Sequence, residues 1–148
     1  MQTYTSASGF TMQYPVDWEV QENAYGSLAM FLSPQTTGDT FREFVAIVTE
    51  TLPVDISADE YYTQLAKPQM EEAIQNFKEI SNENITIDGV AAKKIVYEGT
   101  QSNYNLKRKQ VVLIKNKMAY IINYSAFADT FASFSTVADD MMNSLAIK

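Results

Sequence analysis

The sequence predicts an α+β domain in which a central antiparallel β-sheet is flanked by helices. Three observations lead to this prediction. Short segments rich in β-branched and aromatic residues recur along the chain between turn residues. Three of them follow one another closely enough in the second half to form a meander. Two further segments have the cap or the apolar spacing of amphipathic helices.

The chain is 148 residues long, and single domains cluster at roughly 100 to 150 residues. No internal repeat, low-complexity tract or linker divides it. We therefore expect residues 1–148 to form one domain.

The first half of the chain predicts strands. Residues 9–15 alternate apolar and polar side chains up to a proline, and residues 18–20 resume the pattern after a turn, which predicts a hairpin-like opening. Residues 28–32 and 44–49 predict two more strands. Between them, residues 36–39 have the composition of a loop.

A helix is predicted to begin at Ser57. The Ser57 hydroxyl and the Glu60 carboxylate have the spacing of a capping box, in which each side chain bonds the other residue's amide. Pro68 removes one helical hydrogen bond, so we expect a break near Lys67. Four apolar residues are expected on one face of this helical segment: Tyr61, Leu65, Ile74 and Phe77.

The second half predicts a short strand, a tight turn at Asp88-Gly89 and then the meander. The predicted strands are 85–87, 90–98, 106–114 and 118–124. Apolar residues then recur at helical spacing from Phe131 to Leu145, with Asp129 as the expected N-cap, and predict a C-terminal helix.

Turns centred at residues 101–104 and at Asn116 fix a register for the meander. Glu98 then faces Lys107. Their face also carries Lys94, Val96, Lys109, Val111, Ile121 and Asn123, and the more apolar opposite face carries Ile95, Tyr97, Val112, Ile114, Tyr120, Ile122 and Tyr124. We expect helices to cover most of both faces and to leave the more polar one partly open.

Composition excludes several functions. The chain has no cysteine and no histidine, which removes thiol nucleophiles, imidazole bases and the usual zinc sites. We therefore predict no catalytic residue, no metal ligand and no cofactor. The net charge of −7 argues against nucleic acid. The apolar run Met118 to Ala128 is far shorter than the roughly 20 residues of a membrane span.

The charge is unevenly distributed along the chain. Residues 1–89 hold 14 acids and 3 bases, whereas residues 90–148 hold 4 acids and 8 bases. The densest cationic group stands on neighbouring strands of the meander. We predict it as a candidate interaction patch for a protein partner, formed by Lys94, Lys107, Arg108 and Lys109.

Other polar groups and the single tryptophan have structural explanations. Trp18 is expected in the core. Adjacent helical residues point in different directions, so Asp139 and Asp140 are expected on a solvated face. Three acids, Asp55, Asp59 and Glu60, match no calcium-loop spacing, and capping accounts for two of them.

The opening motif and the order of elements suggest a family. Gly9-Phe10 is followed by Tyr14-Pro15 and Trp18, residues 31–34 form a strand with its closing turn, and the Ser57-capped helix, the meander and the last helix follow. This pattern resembles the PsbP-like family, named for an extrinsic photosystem II protein and widespread among small bacterial lipoproteins. The resemblance implies an α/β/α sandwich.

The resemblance also implies a non-catalytic, extracytoplasmic binding or assembly module, the soluble part of a lipoprotein whose signal or lipid anchor has been removed. Its expected partner is another protein, with membrane contact only through that anchor. The chain has no histidine to match the metal-binding positions of the photosynthetic member, so a photosystem role is not expected. A small-ligand or metal-binding module, a hydrolase built on a Ser–Lys pair or a buried carboxylate, and a cytoplasmic location are the alternatives.

Overall fold

The computed structural model describes residues 1–35 and 42–148, so the loop predicted at residues 36–39 lies outside the described residues. The strands are β1 (Gln2–Thr5), β2 (Phe10–Tyr14), β3 (Glu19–Ala24), β4 (Ser27–Leu32), β5 (Phe44–Thr51), β6 (Gln75–Ile87), β7 (Val90–Gln101), β8 (Tyr104–Lys115), β9 (Met118–Phe127) and β10 (Ala146–Ile147). The helices are α1 (Ala58–Tyr61), α2 (Lys67–Ala73) and α3 (Phe131–Asn143), and a π-helical turn, Tyr62–Ala66, joins α1 to α2.

Seven strands form the main sheet in the order β3-β4-β5-β9-β8-β7-β6, and every neighbouring pair is antiparallel. Two-residue turns connect β6 to β7, β7 to β8, and β8 to β9, with the central residues of each turn at positive φ. Such turns match the right-handed twist of the strands. The predicted α+β fold, a central antiparallel sheet flanked by helices, is confirmed.

The opening strands differ from the prediction. Strand β2 does not form a hairpin with β3 but pairs with β1 and β10 in a separate three-stranded sheet. The separate sheet places Phe10 and Met12 in the main core, where both are fully buried. The chain turns at Pro15, whose carbonyl accepts from the Trp18 amide. Trp18 is buried against Phe134 of α3, as predicted for a core residue.

The predicted register of β9 is wrong by one residue. The turn before β9 contains only Asn116 and Lys117, so that Lys115 pairs with Met118. A shift of one residue moves every side chain of a strand to the other face. Asn123 therefore faces away from Lys109, on the side of the sheet that we had assigned to Tyr124.

The two faces of the main sheet are covered unequally. Helix α3 and the small sheet pack on one face, here called the inner face, and form the largest core cluster. The opposite, outer face is covered by α1 and α2 over β6, β7 and β8. The prediction that the face with Lys94 and Lys109 is left partly open is wrong, because α3 covers it.

The helical segment on the outer face begins as predicted. The Glu60 amide donates to the Ser57 hydroxyl over 3.0 Å, and the Ser57 amide donates to the Glu60 carboxylate over 3.3 Å. Near Lys67, where we expected a break, the backbone instead stays helical: a π-helical turn precedes Lys67, and Pro68 lies at the start of α2.

The helical segment ends earlier than expected, at Ala73, and Phe77 belongs to the long strand β6. At the other helix, Thr130 and not Asp129 is the N-cap residue, and it makes no capping hydrogen bond through its side chain. Within the described ranges no helix combines the length and the hydrophobicity needed to cross a membrane.

Candidate binding groove on the outer face

The four cations of the predicted patch lie on both faces of the sheet. Lys94, Lys107 and Lys109 point to the inner face, because they lie on β7 and β8 in register with Tyr124 and its inner neighbours. Arg108, between Lys107 and Lys109, points to the outer face. The four therefore do not form one surface, and their interaction role stays a prediction.

Lys109 is a buried structural residue. It is 3% exposed, and its ammonium donates to the Asp139 carboxylate over 2.8 Å and to the Ser135 hydroxyl over 2.7 Å. Lys94 contacts the same carboxylate at 2.9 Å. The prediction that Asp139 lies on a solvated face is therefore wrong, because Asp139 ties α3 to the sheet.

The Lys109–Ser135 contact has the composition of a Ser–Lys pair, but the lysine is bonded differently. A base must hold a free electron pair, whereas the Lys109 nitrogen donates to Asp139 and Ser135. Desolvation lowers the pKa of Lys109, and the Asp139 carboxylate partly offsets that fall. Lys107 lies over the Phe131 ring at 4.7 Å, a cation–π contact that also serves packing.

The two acids in the first turn of α1 are also engaged individually. Asp59 pairs with Lys93 at 2.7 Å, while Glu60 completes the capping box. In residues 1–35 and 42–148, no three acidic side chains converge as a metal site requires.

The outer face holds an extended open feature in the described part of the chain. Two adjoining depressions, of about 350 and 270 Å³, lie beside α2 and above β4 and β5. They share a floor built from outward-pointing residues of β5, β7, β8 and β9. The shared residues are Val48, Tyr97, Arg108, Gln110 and Asn123. We call the two depressions together the outer groove.

Strand pairing explains why these side chains meet. Arg108 pairs with Tyr97 on one side and with Ser125 on the other, so the three side chains form one row across the sheet. The next row contains Gln110 and Asn123. Residues directly opposite in an antiparallel sheet lie close enough for their side chains to interact.

The walls of the outer groove are mostly apolar. On the helix side they include Met70 and Ile74. On the β4–β5 side they include Met30, Phe44 and Ala46. Covering these apolar side chains would remove hydrophobic surface from water, which is favourable.

Two polar atoms in the floor have no hydrogen-bond partner among the described residues. The Gln110 side-chain amide donates to the Asn123 carbonyl over 2.9 Å. Its own carbonyl oxygen and the Nε–H of Arg108 are buried and bond to no atom in the described part of the chain. Gln110 is only 7% exposed, and an unpaired buried polar group costs about 1–3 kcal/mol.

Arg108 also influences its neighbour Tyr97. Burial raises the pKa of the Tyr97 hydroxyl, and the adjacent guanidinium partly offsets the rise. The cationic charge is thus close to the phenol, at the centre of the groove.

Tyr25 stands at the rim on the β4 side. It is 88% exposed and lies in the turn between β3 and β4 with φ of +52°, followed by Gly26. Positive φ is uncommon for a bulky residue and costs free energy. Because the Tyr25 ring is exposed, burial of the ring does not offset this cost. Such a residue is typical of a contact surface.

Sequence reasoning identified only Arg108 among these residues. Gln110 received no role, and Asn123 was placed on the wrong face by the β9 register. A two-residue turn at Asn116-Lys117 would have placed Asn123 beside Gln110. Tyr25 followed by Gly26 between two apolar segments was the missed signal of the β3–β4 hairpin.

Fold and site together define the class of protein. Its antiparallel sheet is covered by a helix on one face and carries an open groove on the other. The family model described as PsbP-like protein matches residues 1–147, and the chain belongs to this family. No sequence among the curated proteins matches this chain.

Three solved structures have the same fold. A protein of unknown function from Pseudomonas aeruginosa superposes with a TM-score of 0.73 at 16% identity, over 100% of this chain and 97% of its own. CyanoP, the PsbP of the cyanobacterium Synechocystis, gives 0.71 at 14% identity, over 99% and 92%. LpqN of Mycobacterium tuberculosis, described as involved in cell envelope biogenesis, gives 0.71 at 14% identity, over 94% and 83%.

Proposed function

We propose that this chain is a non-catalytic, extracytoplasmic binding module that holds a segment of another protein in the outer groove. The observation that carries the proposal is the groove itself. It has apolar walls, a polar floor and an exposed tyrosine, Tyr25, at its rim. This composition resembles that of protein interfaces, where aromatic residues surround a hydrophobic centre.

The shape of the groove favours a protein segment over a small molecule. The two depressions adjoin across five shared residues and extend from α2 to the β3–β4 turn. Small-molecule sites are usually concave enough to bury most of their ligand. An open groove that crosses several strands is better suited to an extended chain.

The side chains of the groove support a non-catalytic role. General acid–base catalysis needs a group that titrates near the working pH. Among the described residues, no carboxylate and no lysine lines either depression, and the chain has no histidine or cysteine. The buried Lys109 is already occupied by Asp139 and Ser135 on the other face.

The extracytoplasmic location is proposed from family relationships. LpqN, which shares the fold, is described as involved in cell envelope biogenesis. We propose in addition that the full gene product is tethered as a lipoprotein. Fractionation of cells fed a radiolabelled fatty acid tests this: label on the protein in the envelope fraction is expected, and unlabelled protein confined to the cytosol would contradict it.

Site-specific photo-crosslinking tests the binding role. A benzophenone amino acid placed at Tyr25 should capture a specific envelope protein of the source organism. The matched control is the same amino acid at Val16, which is 69% exposed in the turn before the buried Trp18. A second control combines Val48→Trp with the benzophenone amino acid at position 25, because a large ring at position 48 fills the shared floor of the groove.

The expected result is a single crosslinked product that forms from position 25, does not form from position 16 and disappears in the groove-filled variant. The melting temperature of each variant verifies that it is folded. A product that forms equally from both positions, or that persists after the groove is filled, would contradict the proposal.

A further inference from the structure

We propose that the outer groove is specific for an acidic segment, in which an Asp or Glu side chain binds Arg108 and flanking hydrophobic residues occupy the apolar walls. This inference rests on the proposed function and adds the chemistry of the partner. It is carried by the charges that line the groove, by the bonding of Arg108 and by the unpaired carbonyl of Gln110.

The charge of the groove differs from that of the chain as a whole. The chain has 18 acidic and 11 basic residues. Nevertheless, the residues that line the two depressions include no acid, and Arg108 is their one cation within the described residues. A cation in a cleft with apolar walls attracts an anion more strongly than the same cation on an open surface.

The bonding of the Arg108 guanidinium also favours an acidic ligand. Five ion pairs lie in the described ranges, and their cations are Arg42, Lys67, Lys93, Lys94 and Lys109. Arg108 forms none there, although it lies on a central strand. Its Nε–H, one side of the guanidinium fork, is buried and unpaired. A planar fork of this kind binds a carboxylate through two parallel hydrogen bonds.

The position of Gln110 also favours a peptide ligand. Its unpaired carbonyl oxygen lies one row from Arg108 in the same floor. An extended peptide carries N–H donors along its length. One of them can satisfy Gln110 while a neighbouring acidic side chain reaches Arg108, so a peptide supplies both missing partners.

Other polyanions fit the groove less well. Attachment to an anionic membrane or to nucleic acid depends on several cations acting together. The outer groove contributes one, and the net charge of −7 repels such surfaces. A single carboxylate matches a single arginine.

The experiment uses three acetylated, amidated pentapeptides in which hydrophobic residues alternate with Glu, Gln or Lys. Each is titrated into the ¹⁵N-labelled protein, and amide shifts report the site and the affinity. We expect the Glu peptide to shift the amides of Arg108, Gln110 and Asn123. It should bind about tenfold more tightly than the Gln peptide, as a charge-assisted hydrogen bond predicts.

The variant Arg108→Met keeps much of the side-chain length and should abolish this preference. Its matched control is Lys117→Met, which removes a cation from the β8–β9 turn, outside the groove. The control should retain the tenfold preference, and melting temperatures verify both folds.

Several results would overturn the inference: equal binding of the Glu and Gln peptides, a preference that survives in Arg108→Met, or no groove shift with the Glu peptide at millimolar concentration. Vesicles of phosphatidylglycerol form a parallel arm, and binding to them that needs Arg108 would reassign the site to a lipid phosphate. A partner crosslinked at Tyr25 through a segment without acids would leave the proposed function intact and refute only this inference.

Discussion

The Nζ of Lys109 lies 2.8 Å from a carboxylate oxygen of Asp139, where it joins β8 to α3 beneath the helix. The Lys109 side chain is almost completely buried there, and the Asp139 side chain is partly exposed. This ion pair closes the inner face of the sheet. The next residue along β8, Arg108, points to the outer face and forms no ion pair among the described residues.

Removing the carboxylate should destabilise the fold more than removing the ammonium. Asp139→Asn leaves the buried Lys109 without its counter-charge and should cost about 1–3 kcal/mol, less than for a fully buried pair because Asp139 is partly exposed. Lys109→Met replaces the cation with an apolar chain of similar length, and Lys94 remains to pair Asp139. Urea unfolding of both variants tests the order; a larger loss in Lys109→Met would contradict it.

The Asp139 contribution should depend on pH. Desolvation by itself would raise the pKa of this carboxyl, but hydrogen bonds from Lys109 and Lys94 outweigh it and lower the pKa below its ordinary value. A carboxyl with a lowered pKa in the folded state stabilises fully above its unfolded pKa of about 3.9, and loses that effect as the pH falls through the folded pKa. The difference in unfolding free energy between wild type and Asp139→Asn should therefore shrink below about pH 4; a constant difference down to acid unfolding would refute this assignment.

A methyl group at Gly99 should disrupt the junction between α2 and β6. A Cβ added there would collide with the Ile74 Cγ2 atom and lie 3.3 Å from the Gln75 carbonyl oxygen. We expect Gly99→Ala to cost about 1–3 kcal/mol through overpacking. In an Ile74→Ala background the same change should cost clearly less, because the colliding methyl is gone. A double-mutant cycle measures the coupling, and strict additivity would show that this contact is not the cause.

The hydroxyl of Tyr124 should contribute to the attachment of α3. It is fully buried and donates to the Phe131 carbonyl over 2.7 Å at the start of the helix. Tyr124→Phe removes this buried hydrogen bond between β9 and α3 and should cost about 1–2 kcal/mol. The matched control is Tyr14→Phe, whose hydroxyl bonds an exposed Gln2 side chain over 2.8 Å and should cost little. Equal losses in thermal unfolding would contradict the prediction.

Local sequence chemistry predicted much of this fold. The Ser57–Glu60 box and Pro68 act within a few residues, so they set the start of the helical segment and the place of its π-helical turn regardless of what surrounds it. The turn at residues 101–104 was likewise read correctly, and Glu98 faces Lys107 as expected. Features of this kind depend on backbone geometry over one turn.

Features that depend on distant contacts were not predictable in the same way. Strand β2 pairs with β10, which lies more than 130 residues away, and no local pattern indicates that pairing. At Asn116 a one-residue error in the turn reversed the faces of β9. That error hid the outer groove, because it placed Asn123 with the inner lysines. The uneven distribution of charge is visible in the sequence, but only the fold shows that Arg108 lies on the face opposite Lys94 and Lys109.

Thiol labelling tests the central claim most directly, namely that the outer face is the open, binding face. The chain has no cysteine, so Asn123→Cys on the outer face and Ile122→Cys on the inner face each carry a single thiol. We expect the thiol at position 123 to react at least about tenfold faster than that at position 122 in the folded protein. The partner captured through Tyr25 should slow the labelling of the thiol at position 123 and not that at position 122. Equal rates, or a rate at position 123 that the partner leaves unchanged, would contradict it.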